Sequence, residues 1–256
     1  MLTSMLVAFP LLERLELGGE WGKPPASWTP DTKKSSPSLK SIAFSGSCSF
    51  NLCNLIWGTV SLSRLETLTV HTDFSIRRDK RKLLQHVAPS LRHLQLTGYG
   101  PLVLVRPGEH LNLGPLTHLE HLYVNVTISL SRSTPLQWVP GLLSSVSREY
   151  VPPLKILTVA YDLGKEEKQK PVSYARYRVL TEWHHLTLAD ALDLAIGSPV
   201  VKGLERVNIV MHYPAERAQI AMLFPSLQAR DVLRVYVGVG DDQELMWPLR
   251  DSIFDF

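Results

Sequence analysis

The sequence predicts an α/β solenoid, with one curved sheet of parallel strands on the concave side and helices on the convex side. Seven to eight irregular repeats make up a single domain, 1–256. Three observations predict it. Apolar residues recur three and five positions after a leading Leu, first as Leu12, Leu15 and Leu17. The leading residues Leu12, Leu39, Leu65, Leu91, Leu119, Leu154 and Leu204 are separated by 27, 26, 26, 28, 35 and 50 positions. A step of 26 to 28 kept over five copies is periodicity, not chance clustering. Finally, Pro, Ser or Gly precedes most leading residues, where it ends a helix and turns the chain into a strand.

Taken in chain order, a short helix from Ser4 to Ala8 precedes the first repeat. The later strands carry Leu39, Ile42 and Phe44, then Leu65, Leu68 and Val70, then Leu91, Leu94 and Leu96. Leu119, Leu122 and Val124 follow, then Leu154, Leu157 and Val159, and Leu204, Val207 and Ile209. Each alternates apolar with polar residues, which predicts one buried and one open face. Helical spacing between strands groups Leu52, Leu55 and Ile56, then Leu83, Leu84 and Val87, and then Leu142, Leu143 and Val146. Thr187 caps an expected helix through Ala195, with Asp190 near its positive end. Another runs from Pro214 to Leu223, with Pro in its first turn. Val232 to Val237 reads as a degenerate eighth strand.

The unit L-x-x-L-x-L, as in Leu12-Glu13-Arg14-Leu15-Glu16-Leu17, resembles the leucine-rich-repeat family over about residues 9 to 237. That family usually places Asn or Cys eight residues after the first Leu. Here Glu20, Ser47, Asp73, Tyr99, Thr127, Asp162 and His212 stand there, so its hydrogen-bonding ladder is absent. Irregular repeats that start with Pro-Ser-Leu are similar to the C-terminal halves of fungal F-box proteins. The resemblance implies a protein-binding module, the substrate-recognition part of a ubiquitin ligase receptor. In such receptors an F-box upstream holds the ligase adaptor, and the first 40 residues contain no run of amphipathic helices to match one. A stand-alone scaffold or regulator is the alternative.

In a solenoid the residues between the buried leucines face the concave side. They are Arg14 and Glu16, Ser41 and Ala43, Thr67 and Thr69, His93 and Gln95, His121 and Tyr123, Ile156 and Thr158, and Arg206 and Asn208. The centre of this face is neutral and polar, with Arg at both ends. It lacks the dense cationic stripe that phosphate contacts require, so a protein is the expected partner rather than nucleic acid.

Residues 162–185 form an irregular insert with a charge run from Gly164 to Pro171. Its Tyr177, Arg178 and Trp183 are a candidate binding anchor, or else a strand or turn packed on the solenoid. A Pro-rich loop from Gly18 to Ser38 carries Trp21 and Trp28 and is expected to fold over one rim. Residues 241–256, with Met246, Trp247, Ile253 and Phe254, are the expected C-terminal cap. Only Ser4 to Ala8 caps the other end, an asymmetry that predicts a truncated chain or gene model.

Composition agrees with a folded, soluble domain: 45% hydrophobic and 20% charged residues are far from a disordered chain. A net charge of +3 points to neither nucleic acid nor an anionic membrane. The only cysteines, Cys48 and Cys53, make no secreted disulfide framework, so cytosol or nucleus is expected. No secretory signal appears, and the charge-free stretch from Ser41 to Ser63 is too polar to span a membrane. Asn125-Val126-Thr127 matches a glycosylation acceptor, but on an expected strand.

No catalytic motif is present. Gly238 and Gly240 lack the third glycine of a dinucleotide fingerprint, because position 243 is Gln. His118 and His121, like His184 and His185, lack the helical spacing of a metal pair. The expectation is a protein that is not an enzyme and has no cofactor or metal. An unrecognised enzyme within residues 160–200 is the weaker alternative.

Overall fold

The computed structural model describes residues 8–18, 37–44, 60–71, 84–99, 113–128, 153–163, 203–211 and 217–237. Eight strands form one sheet: β1 (Arg14–Leu17), β2 (Ser41–Phe44), β3 (Thr67–His71), β4 (His93–Tyr99), β5 (His121–Ile128), β6 (Ile156–Leu163), β7 (Arg206–Met211) and β8 (Leu233–Val237). Their order in the sheet is their order in the chain, and every neighbouring pair is parallel. An open parallel sheet with strictly sequential neighbours is compatible with stacked repeats. The seven recurring segments are strands in one register, because Leu15, Ile42, Leu68, Leu94, Leu122, Leu157 and Val207 lie side by side.

Backbone hydrogen bonds explain why the register survives steps of 26 to 50 residues. At the position after each leading Leu, the carbonyl accepts two N–H groups from the next strand. Glu13 O, for instance, takes Lys40 N at 2.8 Å and Ser41 N at 3.0 Å. The same fork repeats from Lys40, Glu66, Arg92, Glu120 and Lys155. Extra residues therefore enter between strands without shifting the pairing. The one irregularity lies between β4 and β5, where Leu96 pairs with Val124 but Tyr99 with Val126.

The leading leucines and the two apolar rows share one core with Leu84, Val87, Ala88, Ile220, Phe224 and Leu227 from the connecting segments. Residues 84–87 are helical, as the Leu83-Leu84-Val87 spacing predicts. The helix expected over Pro214 to Leu223 is found as α1 (Arg217–Met222), followed by α2 (Pro225–Ala229). Pro225 opens α2, where a missing N–H costs nothing. Its end is a Schellman turn: Val232 N bonds Leu227 O, Asp231 N bonds Gln228 O, and Asp231 takes the left-handed φ of 54°. That turn delivers the chain directly into β8, one residue later than the expected Val232 start.

Two expectations need correction. The insert was expected to begin at residue 162, but Asp162 and Leu163 continue β6. Paired along their whole length with β5, they gain ladder hydrogen bonds that a loop would forgo. The second concerns the face opposite the main core, which is not uniformly open (below). The helices expected at Leu52–Ile56, Leu142–Val146 and Thr187–Ala195 lie outside the described residues. So do the helix start at Ser4, most of the 18–38 loop, the rest of the insert and the 241–256 cap.

Candidate interaction face

The register sorts the candidate residues into two rows. One holds Arg14, Ser41, Thr67, His93, His121, Ile156 and Arg206. The other holds Glu16, Ala43, Thr69, Gln95, Tyr123, Thr158 and Asn208, and ends at Arg234 on β8. Because side chains alternate along a strand, both rows stand opposite the leucine core. Thr67 to Asn208 form a continuous patch over β3–β7. Arg14 and Glu16 lie roughly 29 Å from Arg206, six strand spacings away, so only an extended partner touches both ends.

Burial is where this face departs from expectation. Arg14, Glu16 and Arg206 are exposed, and His93 and His121 are half-buried. Thr67, Thr69, Gln95, Tyr123, Thr158 and Asn208 are buried, with Thr158 at 0% and Asn208 at 2% relative exposure. Strands about 4.8 Å apart let short side chains cover one another, and several bond across the sheet. Thr69 Oγ1 donates to Gln95 Oε1 at 3.2 Å, and Asn208 Nδ2 donates to Thr158 Oγ1 at 3.0 Å. Thr158 Oγ1 also lies 3.2 Å from His121 Nε2. Next to them, Tyr123, Ala160 and Val210 form a second, smaller apolar cluster flanked by Tyr236. Asn125, Ala160, Val210 and Tyr236 extend the face by a third row beyond the sequence-derived one.

Two histidines sit at its centre. The rings of His93 and His121 meet edge to face, with centroids 6.1 Å apart. Burial pushes His121 down to about 4, and the neighbouring His93 and the Arg206 charge add to the effect. His93 is lowered too, mainly by burial, although Glu120 and Glu66 pull the other way. Both rings are therefore neutral at pH 7 and can accept as well as donate hydrogen bonds.

Charged residues of alternating sign line the edge of this face. The residue after each leading Leu is Glu13, Lys40, Glu66, Arg92, Glu120, Lys155 and Glu205, a strict alternation of sign. The sheet sets these charges on consecutive strands. Lys40 Nζ lies 2.7 Å from Glu13 Oε1, and Arg92 Nη1 lies 3.3 Å from Glu120 Oε1. Lys155 Nζ reaches the other Glu120 oxygen at 3.6 Å. Like charges side by side on neighbouring strands are unfavourable, so the alternation rewards the observed strand order. Glu120→Lys puts three cations on adjacent strands. We expect it to lower stability by about 1 kcal/mol in low salt and by less in about 1 M salt. Urea unfolding at the two salt concentrations checks this, and an effect unchanged by salt would assign the loss to packing.

Tyr99, Thr127 and Asp162, at the position where the resembled family keeps its Asn or Cys, all belong to strands. Asn125-Val126-Thr127 likewise lies within β5. The candidate anchor of Tyr177, Arg178 and Trp183 lies outside the described residues. Among the described residues no helix is long and apolar enough to cross a membrane, and no three His, Cys, Asp or Glu side chains group as a metal site. Comparison with protein-family models, curated proteins and solved structures found no match to this chain, so its reading rests on its own repeat, register and face.

Proposed function

We propose that the chain is a leucine-rich-repeat solenoid that binds another protein on the sheet face opposite its leucine core. The observation that carries this reading is the pair of aligned polar rows running across seven parallel strands. A face of that width offers the roughly 800 Å² per partner of a specific interface. Its histidines, tyrosines and end arginines suit protein contacts better than a phosphate backbone. Following the resemblance of its repeats to F-box receptors, the bound protein is a target for ubiquitin transfer. A ligase adaptor is a partner only if an F-box accompanies these repeats. The compartment implied is the cytosol or nucleus.

Photo-crosslinking residues placed at Glu16 and Arg206, both exposed on the polar face, test the binding face against one at exposed Gln85 on the helical side. The expected result is one specific protein adduct from the two face positions and none from Gln85. Adducts from Gln85 alone, or from no position, would overturn the assignment. Ubiquitin added to the captured protein in cells supports the ligase role. Capture without modification leaves the scaffold role in its place.

A further inference from the structure

On the β5–β7 part of the polar face, Arg206 stands without a counter-charge among the described residues. Arg206 is exposed, and among the described residues its guanidinium makes no hydrogen bond or ion pair. Arg234 on β8, in register with Asn208, is different, because it bonds Asp231 Oδ1 at 3.2 Å and two backbone carbonyls. Two positions after Arg206, on the same face of β7, Asn208 donates to Thr158 but leaves its own Oδ1 with no partner at 2% exposure. A buried acceptor left unpaired is costly and rare in a folded protein. A second one is close by. Asn125 Oδ1, one row further along β5, is also buried and unpaired, although the Asn125 side chain is only half-buried. Two strand spacings and one row separate the two amides by roughly 12 Å. Backbone N–H groups four residues apart in an extended chain are about 13 Å apart and point the same way.

We propose that the face over β5–β7 receives an extended, acidic peptide segment of a partner protein. A carboxylate of the segment pairs with Arg206, and its backbone N–H groups donate to Oδ1 of Asn208 and of Asn125. The segment's apolar side chains lie against Tyr123, Ala160, Val210 and Tyr236. This rests on the reading of the polar face as the partner-binding face. The charge complementarity is specific: one free guanidinium matches a single carboxylate, where a nucleic acid would need many cations. Arginine also takes a carboxylate in a two-point fork that lysine cannot reproduce.

The test is selection of twelve-residue peptides from a random library by the intact chain and by its Arg206→Glu variant. Arg206 is exposed, so the charge reversal leaves the core untouched, and equal unfolding midpoints check this. The intact chain is expected to select peptides with Asp or Glu at one fixed position, and to lose about tenfold or more in affinity for them as Arg206→Glu. Arg206→Lys should restore part of that loss. N-methylation of the selected peptide, one amide at a time, should weaken binding about tenfold or more at two positions four residues apart. Selected peptides without a fixed acidic residue, or ones indifferent to Arg206→Glu and to N-methylation, would overturn the proposal. No selected peptide at all would also overturn it. If the polar-face crosslinks still form in either case, partner binding on this face stands and only its acidic-peptide form fails.

Discussion

Leu94→Ala lowers the free energy of unfolding by about 2 to 5 kcal/mol, the range for a fully buried leucine replaced in a packed core. Leu94 is 1% exposed in the middle strand region, flanked in register by Leu68 and Leu122, both at 0%. Removing its side chain forfeits the burial of three carbons and leaves a cavity between two rigid neighbours. Those neighbours are pinned by the forked carbonyl bonds on either side, which restricts collapse into the space. Glu16→Ala, exposed on the opposite face, is the control and should change stability by no more than about 0.5 kcal/mol. Urea unfolding of both variants decides it. Equal losses would mean that the two faces have been assigned the wrong way round.

The second large effect is acid destabilisation through His121. Its folded-state value of about 4 lies below the ordinary 6.5, so the native state binds fewer protons than the unfolded chain between these values. Stability from this group is full above pH 6.5 and falls as pH drops toward 4. The loss across that window is on the order of a few kcal/mol. The physical cause is chiefly burial, and a protonated ring would also be repelled by Arg206. Around the ring stand His93 on β4 and Arg206 on β7. Arg206 therefore works against protonation, and a carboxylate bound there would work for it. In His121→Gln, which keeps a polar group beside Thr158, the extra loss between pH 6.5 and 4 should disappear from the unfolding free energy. Identical acid curves for the two proteins would remove His121 from the account.

The parallel order of the strands was legible because the leading triplet repeats faithfully. Apolar residues at 0, 3 and 5 set the strand, the facing and the pairing partner together, as from Leu12 through Leu204. The end of α2 was less legible, because the left-handed turn falls on Asp231 rather than on a glycine that would announce it. Among the site residues, the rows from Arg14 to Arg206 and from Glu16 to Asn208 follow from alternation alone. Their burial does not. Whether Thr158 is covered depends on His121 and Asn208, which lie 37 and 50 residues away and meet it only through the register.

By itself the sequence determined which residues share a row, since a two-residue strand period and a leading triplet of fixed spacing leave no freedom there. It also wrote the alternating charges from Glu13 to Glu205, although as isolated residues they read as ordinary solvated positions. Only the tertiary structure decided which members of a row are covered, that burial lowers both His93 and His121, and which polar atoms remain unpaired. These are properties of desolvation and of neighbouring charge. They are set by side chains brought within a few ångströms from distant parts of the chain, and no local pattern encodes them.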